Sequence, residues 1–386
     1  MNLANRDRNR AIVAIITSVT VMAVSLSLSI PLISLTMNKN GIGSDLIGVM
    51  GAMPSLAFLF FSPVVPHLTH KFGTGTVLWA ALILCSGSIF ALGLNDNLIF
   101  WFFLRLTMGI AMAALFLISE TWINQVAEDS KRGRTVAIYV SFMTLGFALG
   151  PVLINIIGTE GNRPFFIAGG IIASASVMFL YSHGTFPKLS GQSHFSVFSF
   201  LKLAPMICAA ALLVAIFDGS VLTLLPVYGV LSGMTEKTAV LMSSVLLAGN
   251  ILLQFPIGWI ADRIGHYKVI LFCGVVGILG ALFLPLLIAI PYLLWPMLVI
   301  WGGAVVGTYT IALVIMGRLF RGADLITANA AAGILWGAGG LIGPLVGGYA
   351  MKVYEPHGMP LFFALVCLLF VLLSVWQVYW KPMKSI

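Results

Sequence analysis

Three full charges interrupt the long apolar stretches of this 386-residue chain: Arg105, Glu120 and Asp218. At the centre of a membrane helix each would cost about 2.5–3.5 kcal/mol on insertion scales, so such residues usually face an aqueous cavity or one another. The chemistry open to them is ion pairing and reversible protonation. Other chemistry lacks the residues to carry it. Cys85, Cys208, Cys273 and Cys367 lie far apart in apolar runs and are expected to act as small hydrophobes. His67 and His70 are the only close histidine pair, and no cysteine or acid joins them, so no metal site is expected. No nucleophile–base cluster and no nucleotide-binding motif is found, so neither an enzyme nor a cofactor is expected.

The elements that must position these charges follow from composition. Hydrophobic residues make up 60% of the chain and charged residues 8%, with mean hydropathy +1.07. A soluble domain is about 25% charged. Twelve membrane helices of about 20 residues need about 240 residues, close to the apolar stock. A soluble enzyme, a disordered chain and a nucleic-acid binder are thereby excluded. The net charge of +8 is spread over short loops and forms no single basic patch. Residues 11–37 are almost continuously apolar, unlike the alternating strands of a membrane barrel. That run is too long for a signal peptide and reads as the first span.

Polar residues, Gly and Pro divide the rest, giving spans near 11–37, 44–68, 74–93, 98–126, 134–158, 163–183, 201–229, 236–260, 267–288, 290–317, 323–351 and 358–380. Fifteen Lys/Arg fall at the termini and in every second loop, against four in the alternate loops, with Arg105 inside a span. The positive-inside rule then makes both termini cytoplasmic in a multi-pass inner-membrane protein. The longest interruption, 182–200, divides the chain into halves 1–184 and 201–386 joined by a cytoplasmic linker, 185–200.

The halves repeat. Pro66, His70, Lys71 and Gly73 recur as Gly258, Asp262, Arg263 and Gly265 at an offset of 192. Gly146, Gly150 and Pro151 recur as Gly339, Gly343 and Pro344 at 193, and Pro31 as Pro226 at 195. A parallel repeat of this kind puts a substrate site between the halves near the bilayer midplane.

Gly258-Trp-Ile-Ala-Asp-Arg-Ile-Gly265 resembles the loop motif of the major facilitator superfamily, and Arg105-Leu-Thr-Met-Gly109 its fourth-helix motif. Gly146-x-x-x-Gly150-Pro151 and Gly339-x-x-x-Gly343-Pro344 resemble its fifth-helix motif, associated with antiporters. Ser119-Glu120-Thr-Trp-Ile-Asn124, followed by Arg132-Gly-Arg134, is similar to a bacterial YcaD-like branch. The resemblance implies an all-α integral membrane fold: twelve transmembrane helices in two six-helix pseudo-symmetric halves. It implies a secondary transporter of a small organic molecule, working by alternating access as a monomer in the bilayer. Glu120 and Asp218 are the protonatable groups inside spans, which favours protons as the coupling ion; export by antiport is the direction that the resemblance of the fifth-helix motif implies. Proton-coupled uptake, or a receptor or lipid-handling scaffold, remain the alternatives.

Site expectations follow. Spans four and seven line the cavity in this superfamily, so Arg105, Glu120 and Asp218, with Asn124 and Tyr309, are the substrate and proton-coupling candidates. Arg105 lies roughly 10 Å and Asp218 roughly 15 Å from the outer ends of their helices, a comparable depth at which they are expected to pair. Glu120 has an alternative as an acid reaching cytoplasmic water beside Lys131 and Arg132. Asn124, Asn155, Asn250, Gln254 and Tyr309 are expected chiefly to bond between helices. Trp122, Trp301 and Trp336 either line the cavity, sit at the membrane interface or pack. Gly258 and Gly265 are expected to make a tight turn. Asp262 is expected to latch the halves by accepting bonds at the start of span five, near 133–135, with Arg263 or a nearby basic group as its partner. Gly146, Gly150, Gly339 and Gly343, with Pro151 and Pro344, are expected to let helices approach closely.

Overall fold

The computed structural model describes residues 5–128, 132–187, 203–319 and 323–380. Most of the expected linker, and Lys131, lie outside the described residues. Among the described residues, twelve helices are long and apolar enough to cross a membrane: Arg6–Lys39, Ser44–Phe72, Thr74–Leu92, Leu98–Val126, Arg134–Ile157, Arg163–Tyr181, Pro205–Leu231, Glu236–Ile264, His266–Leu287, Pro291–Met316, Ala331–Val353 and Gly358–Val378. They are numbered here as spans one to twelve. A helix closes its backbone hydrogen bonds within itself, which is what a bilayer without water demands. Large apolar side chains stand exposed on the outside, among them Ile83, Phe103, Leu252 and Phe255. Such a surface suits lipid and not water.

The chain folds into two compact units. One comprises Met1–Thr36 and Met53–Gly191, the other Met37–Ala52 and Gln192–Ile386. A division into two contiguous halves therefore misses one detail: the first hairpin, residues 37–52, groups with the second unit. Its reason is a close helix contact. A Cβ at Gly48 would run into the Pro344 carbonyl, and one at Gly348 into the Ser44 carbonyl.

Within each unit the repeat extends to backbone contacts. A Cβ at Gly109 of span four would strike the Pro54 carbonyl of span two, and one at Gly302 of span ten the Leu246 carbonyl of span eight. Gly146 abuts Thr20 and Ala23 of span one; Gly339 abuts Leu212 and Ala215 of span seven. Gly150 abuts Ser27, and Gly343 abuts Ser220. Each pair is related by an offset of 192 or 193. Small residues thus set the interhelical distance at equivalent points, as membrane packing favours.

The expected two-glycine turn is not formed. Gly258 lies inside the helix Glu236–Ile264 with open space around it, and the chain reverses at Gly265 alone, at φ +103°. Gly73 does the same in the first unit at φ +84°. A positive φ is costly for a side chain with a Cβ, so one glycine per turn suffices. The first copy also differs upstream: span two is interrupted by a 3₁₀ turn at Ser62–Val64, where Pro63 and Pro66 withdraw backbone donors.

Candidate functional site

Arg105 is 2% exposed on span four of the first unit, with Cys85 of span three in electrostatic reach. One turn on, Gly109 brings span four against span two. Near by, Thr107 and Ser88 join spans four and three through a 2.8 Å hydroxyl contact. The guanidinium is therefore held by a tightly packed part of the helix.

Fifteen residues further along, span four opens. Glu120, Thr121, Asn124 and Gln125 line a cleft of about 430 Å³. Positions i, i+1, i+4 and i+5 share one helix face, so local helix geometry assembles the wall. Asn124 Nδ2 donates to the Glu120 carbonyl at 2.8 Å. Tyr139 of span five is 2% exposed, lies in electrostatic reach of Glu120, and its hydroxyl has no hydrogen-bond partner. Trp122 points elsewhere: it is 1% exposed and its ring packs 5.2 Å from Phe186. Trp122 is thus a packing residue, whereas Trp301 packs and also borders an apolar cavity of about 320 Å³ between spans nine and ten. Trp301 sits between Phe217 and Phe363, and its Nε1 donates to Gly277 at 3.0 Å.

In the second unit, Asp218 of span seven has a buried Oδ1 without a hydrogen-bond partner. Tyr309 and Trp336 meet edge to face at 6.2 Å between spans ten and eleven. Gln254 donates to the Gly303 carbonyl at 3.3 Å and accepts from Thr310 at 2.5 Å. With its amide turned to suit its neighbours, Asn250 donates to Gly302 at 2.8 Å. These are the interhelical bonds expected of Asn250 and Gln254. The four cysteines are buried and none is in a disulfide.

At the end of span eight, Asp262 Oδ1 lies 3.3 Å from His266 Nε2. Arg263 instead lies 3.6 Å over the ring of Trp259. The basic group seen beside Asp262 is thus the histidine that opens span nine, while Arg263 turns its guanidinium to Trp259. The neighbourhood of Asp262 expected at 133–135 belongs to the other unit.

The repeat gives a test that the motifs alone do not. At an offset of 193, Arg105 matches Leu298, Glu120 matches Leu313 and Asp218 matches Ser25. Ser25 simply donates to the Ala168 carbonyl at 2.8 Å. Each equivalent position in the other half carries an uncharged residue, so the repeat itself does not impose a charge there. Sequence reasoning named Glu120 and Asn124 but passed over Thr121, Gln125 and Tyr139. The signal was the polar stripe of span four.

The Major Facilitator Superfamily profile matches residues 14–321 and 233–383. The chain belongs to the major facilitator superfamily. This MFS transporter is 28% identical over 371 residues to the uncharacterized MFS-type transporter YfkF of Bacillus subtilis (strain 168), covering 93% of the chain and 92% of YfkF. It is 22% identical over 366 residues to YcaD of Escherichia coli, covering 94% and 95%. Among solved structures, the nucleoside transporter NupG superposes with TM-score 0.74 at 15% identity, over 98% of this chain and 100% of NupG. A bacterial homologue of the lysosomal transporter Spinster, inward-facing and occupied, gives 0.74 at 12% identity over 97% of each chain. The expected twelve-helix fold and transporter class are those of this family; at these identities the structures speak for the fold of this MFS transporter alone.

Proposed function

We propose that this MFS transporter exports a small organic molecule across the bacterial inner membrane in exchange for protons, with both termini cytoplasmic. The observation that carries the reading is Asp218, an acid inside span seven whose buried Oδ1 has no hydrogen-bond partner. An unpaired buried carboxyl is costly in a medium of low dielectric, and the fold places an uncharged serine at the equivalent position. A proton removes that cost, and so does a cationic partner. Arg105, a charge at comparable depth on span four, is that partner in one access state. The proton and Arg105 then compete for one carboxylate as the halves rock, and Glu120 passes the proton to the cytoplasmic side. Asn124 and Tyr309 contribute substrate contacts. Asp262, beside His266, latches one access state.

The test is flux in sealed vesicles under a proton gradient of either sign. Export coupling predicts uphill substrate movement opposite to the proton gradient. Glu120→Gln and Asp218→Asn should spare counterflow while reducing gradient-driven flux about tenfold or more. Substrate moving with the proton would make the carrier an importer. Full gradient-driven transport in both variants would remove both acids from the coupling site.

A further inference from the structure

The apolar cavity of about 320 Å³ between spans nine and ten lies wholly within the second unit. Trp301 forms its floor, packed so closely against Gly280 that a Cβ there would run into the indole ring. The indole N–H is already donated to the Gly277 carbonyl at 3.0 Å. Leu279, Phe283, Pro296 and Ile300 form the walls and rim. All four are exposed, so the cavity opens on the lipid-facing surface. The repeat shows how it arises. At the 192 offset of the Gly73–Gly265 turn, Gly280 matches Ser88. At the 193 offset of Gly109 and Gly302, Ile300 matches Thr107 and Pro296 matches Phe103. In the first unit Ser88 and Thr107 join spans three and four through their 2.8 Å hydroxyl contact. The second unit has neither hydroxyl, and a small proline ring stands where the first has a phenyl group.

We propose that this cavity seats one acyl chain of a membrane lipid. The inference depends on the chain spanning a bilayer and not on the direction or coupling of transport. On span nine the lining runs from Val276 to Leu287, roughly 16 Å, and on span ten from Leu293 to Trp301, roughly 12 Å. One leaflet of a ~30 Å hydrocarbon core is about 15 Å deep, so the cavity has the length of one tail in one leaflet. Its mouth is continuous with the surface that the bilayer covers, and a tail enters without crossing water. Exposed Tyr292 stands next to Leu293 at one end, and such aromatics sit at the headgroup level. The connection at 288–290 is Ile-Ala-Ile, which offers a headgroup no polar side chain, so recognition is of the tail. A tail packed against Trp301 and Phe283 gains dispersion contacts that a void forfeits.

The test is photolabelling of the full-length carrier in phosphatidylethanolamine–phosphatidylglycerol nanodiscs doped with a phosphatidylcholine that carries a diazirine midway along one tail. Adducts are mapped by peptide mass spectrometry. Labelling at the cavity residues should exceed that at Leu252 and Phe255, exposed on the open face of span eight, about fivefold or more. Pro296→Phe, which copies Phe103 of the repeat, should fill the cavity. It should cut labelling there about fivefold and leave Phe255 unchanged. If that variant does not fold, Ile300→Phe fills the cavity one turn further along and carries the same expectation. Equal labelling at the cavity and at Phe255 in the wild-type protein would overturn the proposal, as would undiminished labelling in a folded, filled variant. Crosslinks joining the cavity residues of one copy to a second copy would also overturn it, by making the cavity a subunit interface.

Discussion

Lys352 Nζ, at the end of span eleven, lies 2.8 Å from Asp45 Oδ2, at the start of span two, although 307 residues separate them. Beneath the pair, Gly48 faces the Pro344 carbonyl and Gly348 faces the Ser44 carbonyl. The glycines permit the approach and the ion pair spans its rim. Lys352 is 56% and Asp45 26% exposed in their side chains, so the pair contributes at most about 1 kcal/mol.

That magnitude fixes what breaking the pair should do. Lys352→Ala should speed thiol labelling of a Thr223→Cys reporter by about 2–5-fold, the equivalent of up to ~1 kcal/mol. Thr223 is buried where a Cβ on Gly51 would meet it. Exchanging the charges, Asp45→Lys with Lys352→Asp, should bring the rate back. Unchanged labelling in the single variant would show that the glycine contact alone closes this end.

Glycines in one helix should differ sharply from glycines in another. At Gly150 a Cβ would meet Ser27 Oγ and the Leu28 backbone; at Gly87 it would meet nothing within 4 Å. Gly150→Ala should therefore destabilise by about 1–3 kcal/mol through overpacking. Gly87→Ala should be neutral or stabilising by up to about 1 kcal/mol. Thermal unfolding in one detergent compares them, and equal melting temperatures would refute the close contact between spans one and five.

Arg105 should be indispensable in both transport modes. Under the proposed scheme, which puts Arg105 in the substrate site, Arg105→Ala should abolish counterflow and gradient-driven flux alike. Arg105→Leu copies its repeat partner Leu298 and should fold normally while remaining inactive. Transport by the leucine variant would show that Arg105 is structural.

The latch reading makes a population prediction. Asp262→Asn removes the carboxylate that contacts His266, and favourable charge at a helix N-terminus is worth about 0.3–1 kcal/mol at exposed sites. The ratio of inward- to outward-facing molecules, measured by spin-label distances across the two halves, should change about 2–5-fold. An unchanged distribution would remove Asp262 from the latch.

Orientation is tested by a thiol in the linker. Gly191→Cys should resist an impermeant reagent in intact cells and react after permeabilisation, given the fifteen-to-four Lys/Arg split. Rapid labelling of intact cells would invert the topology.

The amino-acid sequence by itself determined the twelve spans to within a few residues at most boundaries, because apolar length is a one-dimensional property and lipid tolerates little else. It also determined the repeat, since Gly146–Pro151 and Gly339–Pro344 carry the same spacing wherever the helices go. It singled out Arg105, Glu120 and Asp218, because a charge in an apolar run is conspicuous. Tertiary structure decided the rest. Periodicity could not separate packing from cavity for Trp122, since both faces of a membrane helix are apolar; only the neighbouring ring of Phe186 shows that it packs. Nor could spacing choose His266 over Arg263 beside Asp262, because that depends on where Gly265 turns the chain. The grouping of residues 37–52 with the second unit, and the buried Tyr139 hydroxyl near Glu120, come from contacts between distant segments. Such contacts depend on side-chain shape in three dimensions, which no local pattern encodes.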